Sequence, residues 1–241
     1  MIEISNITKS FGSVEAVKGV SFTARDGRIT ALLGPNGAGK STTLRILSSV
    51  LGADSGYAKV DDINVAEEPQ EARRRIGVLP HNSGIYARLT GAENIRYFGR
   101  LQGLTDAQLD TRIDELVDIL GMKEFVHRRT AGFSQGQTIK VALARAIVHN
   151  PRHVILDEPT NGLDVMATRA LRQIIRDLKA AGKCVLFSSH IMQEVEALCD
   201  DIIIIGHGEV CFDGTLERLR EHAQTDDLEE AFIRLAGVTE E

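Results

Sequence analysis

The sequence has no tryptophan, little cysteine and few aromatic residues. Its 241 residues include 3 Cys, and Phe, Trp and Tyr together make up 5%. Because the cysteines (Cys184, Cys199 and Cys211) are odd in number and form no C-x-x-C pair, they argue against a disulfide framework and against a cysteine-based metal site. We expect all three to be reduced thiols, as is usual in cytosolic proteins.

Long hydrophobic runs and an excess of positive charge are also missing. The densest apolar run, at 202–205, has the length of a strand and is far shorter than the ~18 residues that span a bilayer. The first ten residues, MIEISNITKS, lack the charged and apolar regions of a signal peptide. The net charge of −6 argues against a nucleic-acid-binding protein, which usually presents a basic surface. We therefore expect a soluble, intracellular chain without a nucleic-acid partner.

Strand and helix patterns alternate along most of the chain. Apolar runs at 29–33, 75–80, 153–158 and 184–190 have the length of buried strands, and helical patterns lie between several of them. Such alternation predicts an α/β fold around a parallel sheet. Two further segments are expected to be insertions on that core. One consists of short β segments near the beginning of the chain, and the other is a helical block after residue 90, where capping boxes occur.

A glycine-rich loop follows the first of these runs. Residues 34–41 fit the pattern G-x-x-x-x-G-K-[ST] between an apolar strand and a helix. Glycines let successive backbone N–H groups face a phosphate, and the following helix N-terminus adds partial positive charge. Lys40 would reach the β- and γ-phosphates, and the Ser41 hydroxyl would bind Mg²⁺. The predicted nucleotide site comprises Gly34, Pro35, Asn36, Gly37, Ala38, Gly39, Lys40, Ser41 and Thr42.

Two carboxylates end a later apolar strand. Asp157 and Glu158 follow the run that begins at residue 153. The carboxyl ends of parallel strands border the ligand crevice of an open α/β sheet. We expect Asp157 to hold Mg²⁺ or its water shell, and Glu158 to polarise an attacking water. The alternative, an ordinary polar strand end, loses weight beside a phosphate-binding loop.

Four motifs, in this order, resemble those of the ABC ATPases. They are GPNGAGKST at 34–42, FSQGQ at 133–137, VILDEPTNGLD at 154–164 and SSH at 188–190. The resemblance covers nearly the whole chain and is strongest to ATP-binding subunits of bacterial exporters of the sodium- and drug-extrusion type.

The resemblance implies a particular fold and domain organisation. A P-loop NTPase core with a parallel sheet would carry a small antiparallel β subdomain, within 1–28 and 56–66, and a helical subdomain at about 85–150. Together these would form one ABC ATPase domain over 2–230. A C-terminal tail would follow at 231–241.

The same resemblance assigns roles to further residues. Phe11 matches the aromatic residue that stacks on adenine, and Asp164 matches the loop that joins two subunits. His190 matches the switch histidine on the γ-phosphate. Lys40, Glu158 and His190 are therefore the implied catalytic residues.

A second group of matched residues lies in the FSQGQ motif. Ser134, Gly136 and Gln137 match the signature that contacts the γ-phosphate held by the other subunit. The third signature position, usually glycine, is Gln135 here, and exporters of this type often vary at that position. By its sequence alone the motif would predict no more than a helix N-cap.

One position departs from the family pattern on the metal side of the site. A glutamine that senses Mg²⁺ normally follows the second core strand, but here Leu79-Pro80 is followed by His81. A neutral imidazole offers one acceptor nitrogen and a protonated imidazole offers none. His81 thus joins Ser41 and Asp157 as an expected metal-side residue whose role the substitution puts in doubt.

The implied function is that of an ATP-binding and ATP-hydrolysing subunit that powers an ABC transporter, with ATP and Mg²⁺ as cofactors. Two copies would form an ATP-dependent head-to-tail homodimer on the cytoplasmic side of the membrane. The dimer would drive a separate integral membrane permease subunit of an exporter. Two other classes remain as alternatives: an ABC protein that acts on ribosomes or DNA, and a P-loop small-molecule kinase, which would not need FSQGQ or the residues at 161–164.

Overall fold

The computed structural model describes residues 1–82 and 84–236. In chain order, the strands are β1 (Ile2–Phe11), β2 (Val14–Ala24), β3 (Ile29–Leu33), β4 (Ser55–Val60), β5 (Ile63–Asn64), β6 (Ile76–Leu79), β7 (His153–Asp157), β8 (Cys184–Ser189), β9 (Asp201–Gly206) and β10 (Glu209–Gly214). The helices are α1 (Lys40–Leu47), α2 (Pro69–Arg75), α3 (Gly91–Leu101), α4 (Asp106–Ile119), α5 (Gln135–Ile147), α6 (Val165–Ala180), α7 (Met192–Leu198), α8 (Leu216–Ala223) and α9 (Leu228–Ala236).

The central sheet has the strand order β10-β9-β3-β8-β7-β6. Its pairs are parallel except for the hairpin between β9 and β10. Every residue of β3, β7, β8 and β9 is buried, which explains why these strands read as continuous apolar runs. The prediction of an α/β core around a parallel sheet is confirmed.

A second sheet, in the order β2-β1-β4-β5, is antiparallel throughout. It corresponds to the β subdomain expected within 1–28 and 56–66, and begins its third strand at Ser55. Its inward-facing residues Ile2, Ile7 and Val20 share one apolar cluster with Leu32 and Ile203 of the central sheet. This packing holds the second sheet against the phosphate-loop side of the core.

Helices α3, α4 and α5 lie in the range expected for the helical subdomain. Both sequence-predicted capping boxes are present: Thr90 with Glu93, and Thr105 with Gln108. In the first, the Thr90 hydroxyl accepts the backbone N–H of Glu93 at 3.1 Å, and the Glu93 carboxylate accepts that of Thr90 at 2.7 Å. Because these bonds satisfy donors that a helix start otherwise leaves free, they explain why the helices begin where they do.

Helix α9, the last described element, packs on the core. The tail predicted at 231–241 begins inside α9, whose Ala231 and Ala236 are buried. The remaining residues of that prediction, 237–241, lie outside the described part of the chain. Within the described residues, none of the helices has the length and hydrophobicity needed to cross a membrane.

Candidate functional site

The glycine-rich loop joins β3 to α1 at the carboxyl edge of the central sheet. Gly39 is the N-cap of α1, with a left-handed φ of 103°, and no side chain caps the helix there. A Cβ at Gly39 would lie 2.5 Å from the backbone oxygen of Ala16, so the close approach of the two segments also requires glycine. The first-turn N–H groups have no acceptors within the helix and are suited to bind phosphate.

Lys40 is a buried cation at the start of α1. Its ammonium donates to the backbone oxygens of Gly34 at 2.6 Å and Pro35 at 3.2 Å, and lies 3.7 Å from Glu158 Oε1. Burial lowers the pKa of Lys40, and the negative charges of Glu158 and Asp157 partly oppose that shift. The Lys40 side chain thus folds back onto the glycine-rich loop, and its ammonium lies beside the space in which a phosphate would bind.

The two carboxylates at the end of β7 face different partners. Asp157 Oδ1 accepts hydrogen bonds from the Ser41 hydroxyl at 3.2 Å and from the Ser188 hydroxyl at 2.7 Å. Glu158 Oε2 lies 2.6 Å from Nδ1 of His190. The register of the sheet produces this arrangement, since Asp157 pairs with Ser188 across β7 and β8.

Ser41 and Asp157 present a donor set that fits Mg²⁺. Both offer oxygen atoms, which this ion prefers, and the two oxygens are already within 3.2 Å of one another. His81 is exposed and lines the same cleft. Its role toward the metal stays a prediction.

Except for Asp157, which contacts the lining residue Ser41, these groups border one polar cleft with a volume of about 520 Å³, a size suited to a small-molecule ligand. The cleft brings together most of the sequence-predicted site. Its lining residues are Ala16, Pro35, Asn36, Gly37, Ala38, Gly39, Lys40, Ser41, Thr42, His81, Glu158, Asn161 and His190.

Phe11 is not among the lining residues of this cleft. It ends β1 and is 50% exposed. Its ring lies 5.9 Å from the Lys9 ammonium. The predicted stacking of Phe11 on adenine is therefore open to test.

The signature residues Ser134, Gly136 and Gln137 are also not among the lining residues of this cleft. The Ser134 hydroxyl accepts the N–H of Gln137 at 3.2 Å, and the Gln137 side chain accepts that of Ser134 at 3.1 Å, so both form the capping box of α5. Asp164 is the N-cap of α6 and accepts the N–H of Ala167 at 2.8 Å. A Cβ on Gly136 would lie 3.2 Å from that of Ala167, which places the starts of α5 and α6 side by side.

Three residues near the site were not predicted from the sequence. Ala16 and Asn161 line the cleft, and Ser188 contacts both carboxylate-bearing residues through its hydroxyl. Asn161 and Ser188 lie within motifs that were recognised, so their polar character was the available signal. The sequence gives no indication of Ala16, because its side chain has no polar group and its backbone oxygen is what lies against Gly39.

Comparisons with known proteins agree on one family. The model of the ABC transporter family matches residues 17–161. The chain is 43% identical to the ABC transporter ATP-binding protein NatA of Bacillus subtilis over 97% of both chains. It is 38% identical to the daunorubicin/doxorubicin resistance ATP-binding protein DrrA of Streptomyces peucetius over 91% of this chain and 66% of that protein.

Solved structures extend the likeness to the fold. The structure of an ATP-binding subunit of an ABC transporter has a TM-score of 0.89 and 29% identity, and covers 98% of this chain and 99% of that one. The dimeric structure of MJ0796, a bacterial ABC transporter cassette, has a TM-score of 0.82 and 25% identity, and covers 89% of this chain and 98% of that one.

Proposed function

Since the chain belongs to the ABC transporter family and is one of its ATP-binding, ATP-hydrolysing subunits, we propose that the cleft described above is its hydrolytic site. The observation that carries this proposal is the meeting of the phosphate-binding loop with Asp157, Glu158 and His190 at one edge of the sheet. These side chains come from three different parts of the sequence. They converge only because β8 lies between β3 and β7.

Hydrolysis at this site depends on positioning and on stabilisation of charge. Lys40 exchanges its loop carbonyls for the terminal phosphates, and the first-turn N–H groups of α1 bind them. Ser41 and Asp157 would hold Mg²⁺, which would supply positive charge against the negative charge that develops on the phosphate. Glu158 orients the attacking water and accepts its proton, while His190 donates to the phosphate.

The site is completed by a second copy of the chain. Ser134 and Gly136 lie at the exposed or half-exposed start of α5, whose helix dipole favours a negatively charged ligand. Because they lie away from the chain's own cleft, they fit contact with a nucleotide bound by the partner copy. Two copies arranged head to tail would then enclose two ATP, with the Asp164 segments near the contact between them.

The membrane subunit docks in the groove between α3 and β6. This groove has a volume of about 350 Å³ and its lining includes Ile76, Val78 and Phe98. At its rim, Val50 is 74% and Leu101 66% exposed, so a partner could bury both. A permease bound there would hold this subunit peripherally on the cytoplasmic side of the membrane. Export is the proposed direction, because DrrA is named for drug resistance.

The hydrolytic site is tested by Lys40→Ala. We expect loss of ATP hydrolysis and weaker ATP binding with the fold retained, because the main cation facing the phosphates is removed. Lys123→Ala is the matched control, since Lys123 is exposed and pairs with the surface residue Asp118, away from the cleft. Near-parental hydrolysis by Lys40→Ala would place the active site elsewhere.

The composite site is tested by Glu158→Gln in size-exclusion chromatography with light scattering. This variant should bind ATP without hydrolysing it, and should run as a monomer without nucleotide and as a dimer with ATP and Mg²⁺. Adding Ser134→Arg should restore the monomer, because it places bulk and positive charge at the start of α5. A Glu158→Gln protein that stays monomeric at saturating ATP would contradict dimerisation by ATP alone.

A further inference from the structure

Ser188 is a fully buried residue near the end of β8, the strand between β3 and β7. Its hydroxyl makes two hydrogen bonds: it donates to Asp157 Oδ1 at 2.7 Å and accepts the backbone N–H of Glu158 at 2.9 Å. A serine hydroxyl has one proton to donate. Here the hydroxyl donates that proton in a hydrogen bond to the Asp157 carboxylate. A lone pair of the same hydroxyl oxygen accepts the backbone N–H of Glu158.

We propose that Ser188 is the positioning residue that orients both carboxylates of the hydrolytic site. The inference rests on the proposed function of that site. Ser188 touches neither nucleotide nor water in this role, and acts only through Asp157 and Glu158. One oxygen atom thereby couples the metal-side carboxylate to the water-side carboxylate.

The backbone of Glu158 explains why an acceptor is needed. Its φ is 53°, a left-handed conformation that is unfavourable for an L-residue with a side chain. The turn takes the Glu158 N–H out of the regular strand, and a partly buried N–H without an acceptor is costly. Ser188 supplies that acceptor and so stabilises the turn that directs the Glu158 side chain toward Lys40 and His190.

The contact with Asp157 constrains the other carboxylate. Both hydroxyls donate to the same carboxylate oxygen, but Ser188 lies closer to it than Ser41 does, at 2.7 Å against 3.2 Å, so the bond from Ser188 is the stronger of the two. The Ser41 hydroxyl can therefore turn toward a metal ion while Ser188 keeps the carboxylate in place.

The neighbouring serine shows that position, and not composition, decides this role. Successive side chains of a strand point to opposite faces. The Ser189 hydroxyl accepts the N–H of Ile191 at 3.0 Å, on the far side of the strand from the Asp157 carboxylate. Of the two serines in the SSH motif, only Ser188 is placed to contact both carboxylate-bearing residues.

The test compares Ser188→Ala with Thr30→Val. Thr30 is also fully buried and lies on the adjacent strand β3. Its hydroxyl has no hydrogen-bond partner among the residues that the structure describes, so Thr30→Val removes a buried hydroxyl without breaking a bond seen there. Ser188→Ala should lower kcat about tenfold or more, which corresponds to the loss of one well-placed interaction. The affinity for a fluorescent ATP analogue in EDTA should stay within about twofold of the parent, and Thr30→Val should change neither quantity.

Two further readouts separate positioning from a general loss of structure. In protein free of metal and nucleotide, Ser188→Ala should speed amide hydrogen exchange in a peptide containing Glu158, by about tenfold or more, with the rest of β7 unchanged. The Mg²⁺ concentration that half-saturates analogue binding should rise. Parental kcat together with parental exchange at Glu158 would overturn the proposal.

Ser188→Cys decides the question if Ser188→Ala does not fold. Cysteine keeps the shape of serine with a larger γ atom, and its thiol is a weak donor and acceptor. We therefore expect the same loss of kcat and the same faster exchange in a folded protein. Parental behaviour of this variant would overturn the inference. Hydrolysis that survives Lys40→Ala would instead overturn the proposed function, so the two failures are distinguishable.

Discussion

The substitution Gly39→Ala tests the geometry of the phosphate-binding loop. The new Cβ would lie 2.5 Å from the backbone oxygen of Ala16, whereas ordinary van der Waals contact begins at 3.4 Å. The loop or the β2 backbone must therefore move by about 0.9 Å, and overpacking of this kind typically costs about 1–3 kcal/mol. The left-handed φ of 103° adds strain of about 1–2 kcal/mol.

The expected result is a larger loss of activity than of stability. A misplacement of about 1 Å in a positioning element can reduce a rate by about 10²-fold, because the first-turn N–H groups of α1 and the Lys40 ammonium move together. A stability loss of this size in a chain of this length corresponds to a fall in Tm of roughly 5–15 °C. Phosphate release, binding of a fluorescent ATP analogue and thermal unfolding measure the three effects.

Gly182→Ala is the control for Gly39→Ala. Gly182 has a φ of +76° but nothing lies within 4 Å of its added Cβ, and it follows α6, away from the cleft. It should lower Tm by the strain alone and leave hydrolysis at the parental rate. If Gly39→Ala behaves in the same way, the close approach of the loop to Ala16 does not control the site and the reasoning is refuted.

Two further predictions concern nucleotide affinity and acid stability. Phe11→Ala should weaken ATP binding about 5- to 150-fold while Phe11→Tyr retains it, because stacking of a base on an aromatic ring is worth about 1–3 kcal/mol; unchanged affinity in isothermal titration would remove Phe11 from the site. Burial pushes the pKa of Asp61 upward, but the hydrogen bond from the Met1 amine and the adjacent His153 ring, whose Nε2 lies 3.0 Å from Asp61 Oδ1, hold it at about 2. Because this pKa lies below its unfolded value, the stabilisation by Asp61 is present above about pH 4 and is lost as the pH falls toward 2, by roughly 1–2 kcal/mol. Urea unfolding at several pH values should show that loss in the parent and not in Asp61→Asn, and equal acid sensitivity of the two proteins would contradict it.

Local chemistry made much of this protein predictable from its sequence. The strands that are buried on both faces can be recognised in the sequence as apolar runs, because helices cover both faces of a parallel sheet and exclude most polar side chains from it. Thr90 and Thr105 mark helix starts because a hydroxyl three residues before Glu or Gln satisfies free N–H groups. The phosphate-binding loop is readable for the same reason, since a few adjacent residues provide its glycines, its lysine and its helix N-terminus.

The placement of α9 was less accessible to sequence reasoning. The boundary expected between 230 and 231 falls inside this helix, of which Leu228, Ala231 and Ala236 are buried. Small and widely spaced apolar residues give only a weak indication that a helix is buried. The tertiary structure shows the surface of the core against which they pack. The position of Phe11 outside the cleft is similar: the match with the family says which residue type is present, and the fold of β1 and β2 decides where its ring lies.

The sequence by itself determined the chemical groups of this protein: a cation and a hydroxyl at a helix start, two carboxylates at a strand end, and a histidine after another strand. Only the tertiary structure decided which of them meet. The strand order places β8 between β3 and β7, which brings Ser188 to Asp157 and His190 to Glu158 over separations of about thirty residues. Such contacts arise from the packing of whole strands, and neither residue type nor local spacing specifies which strands become neighbours.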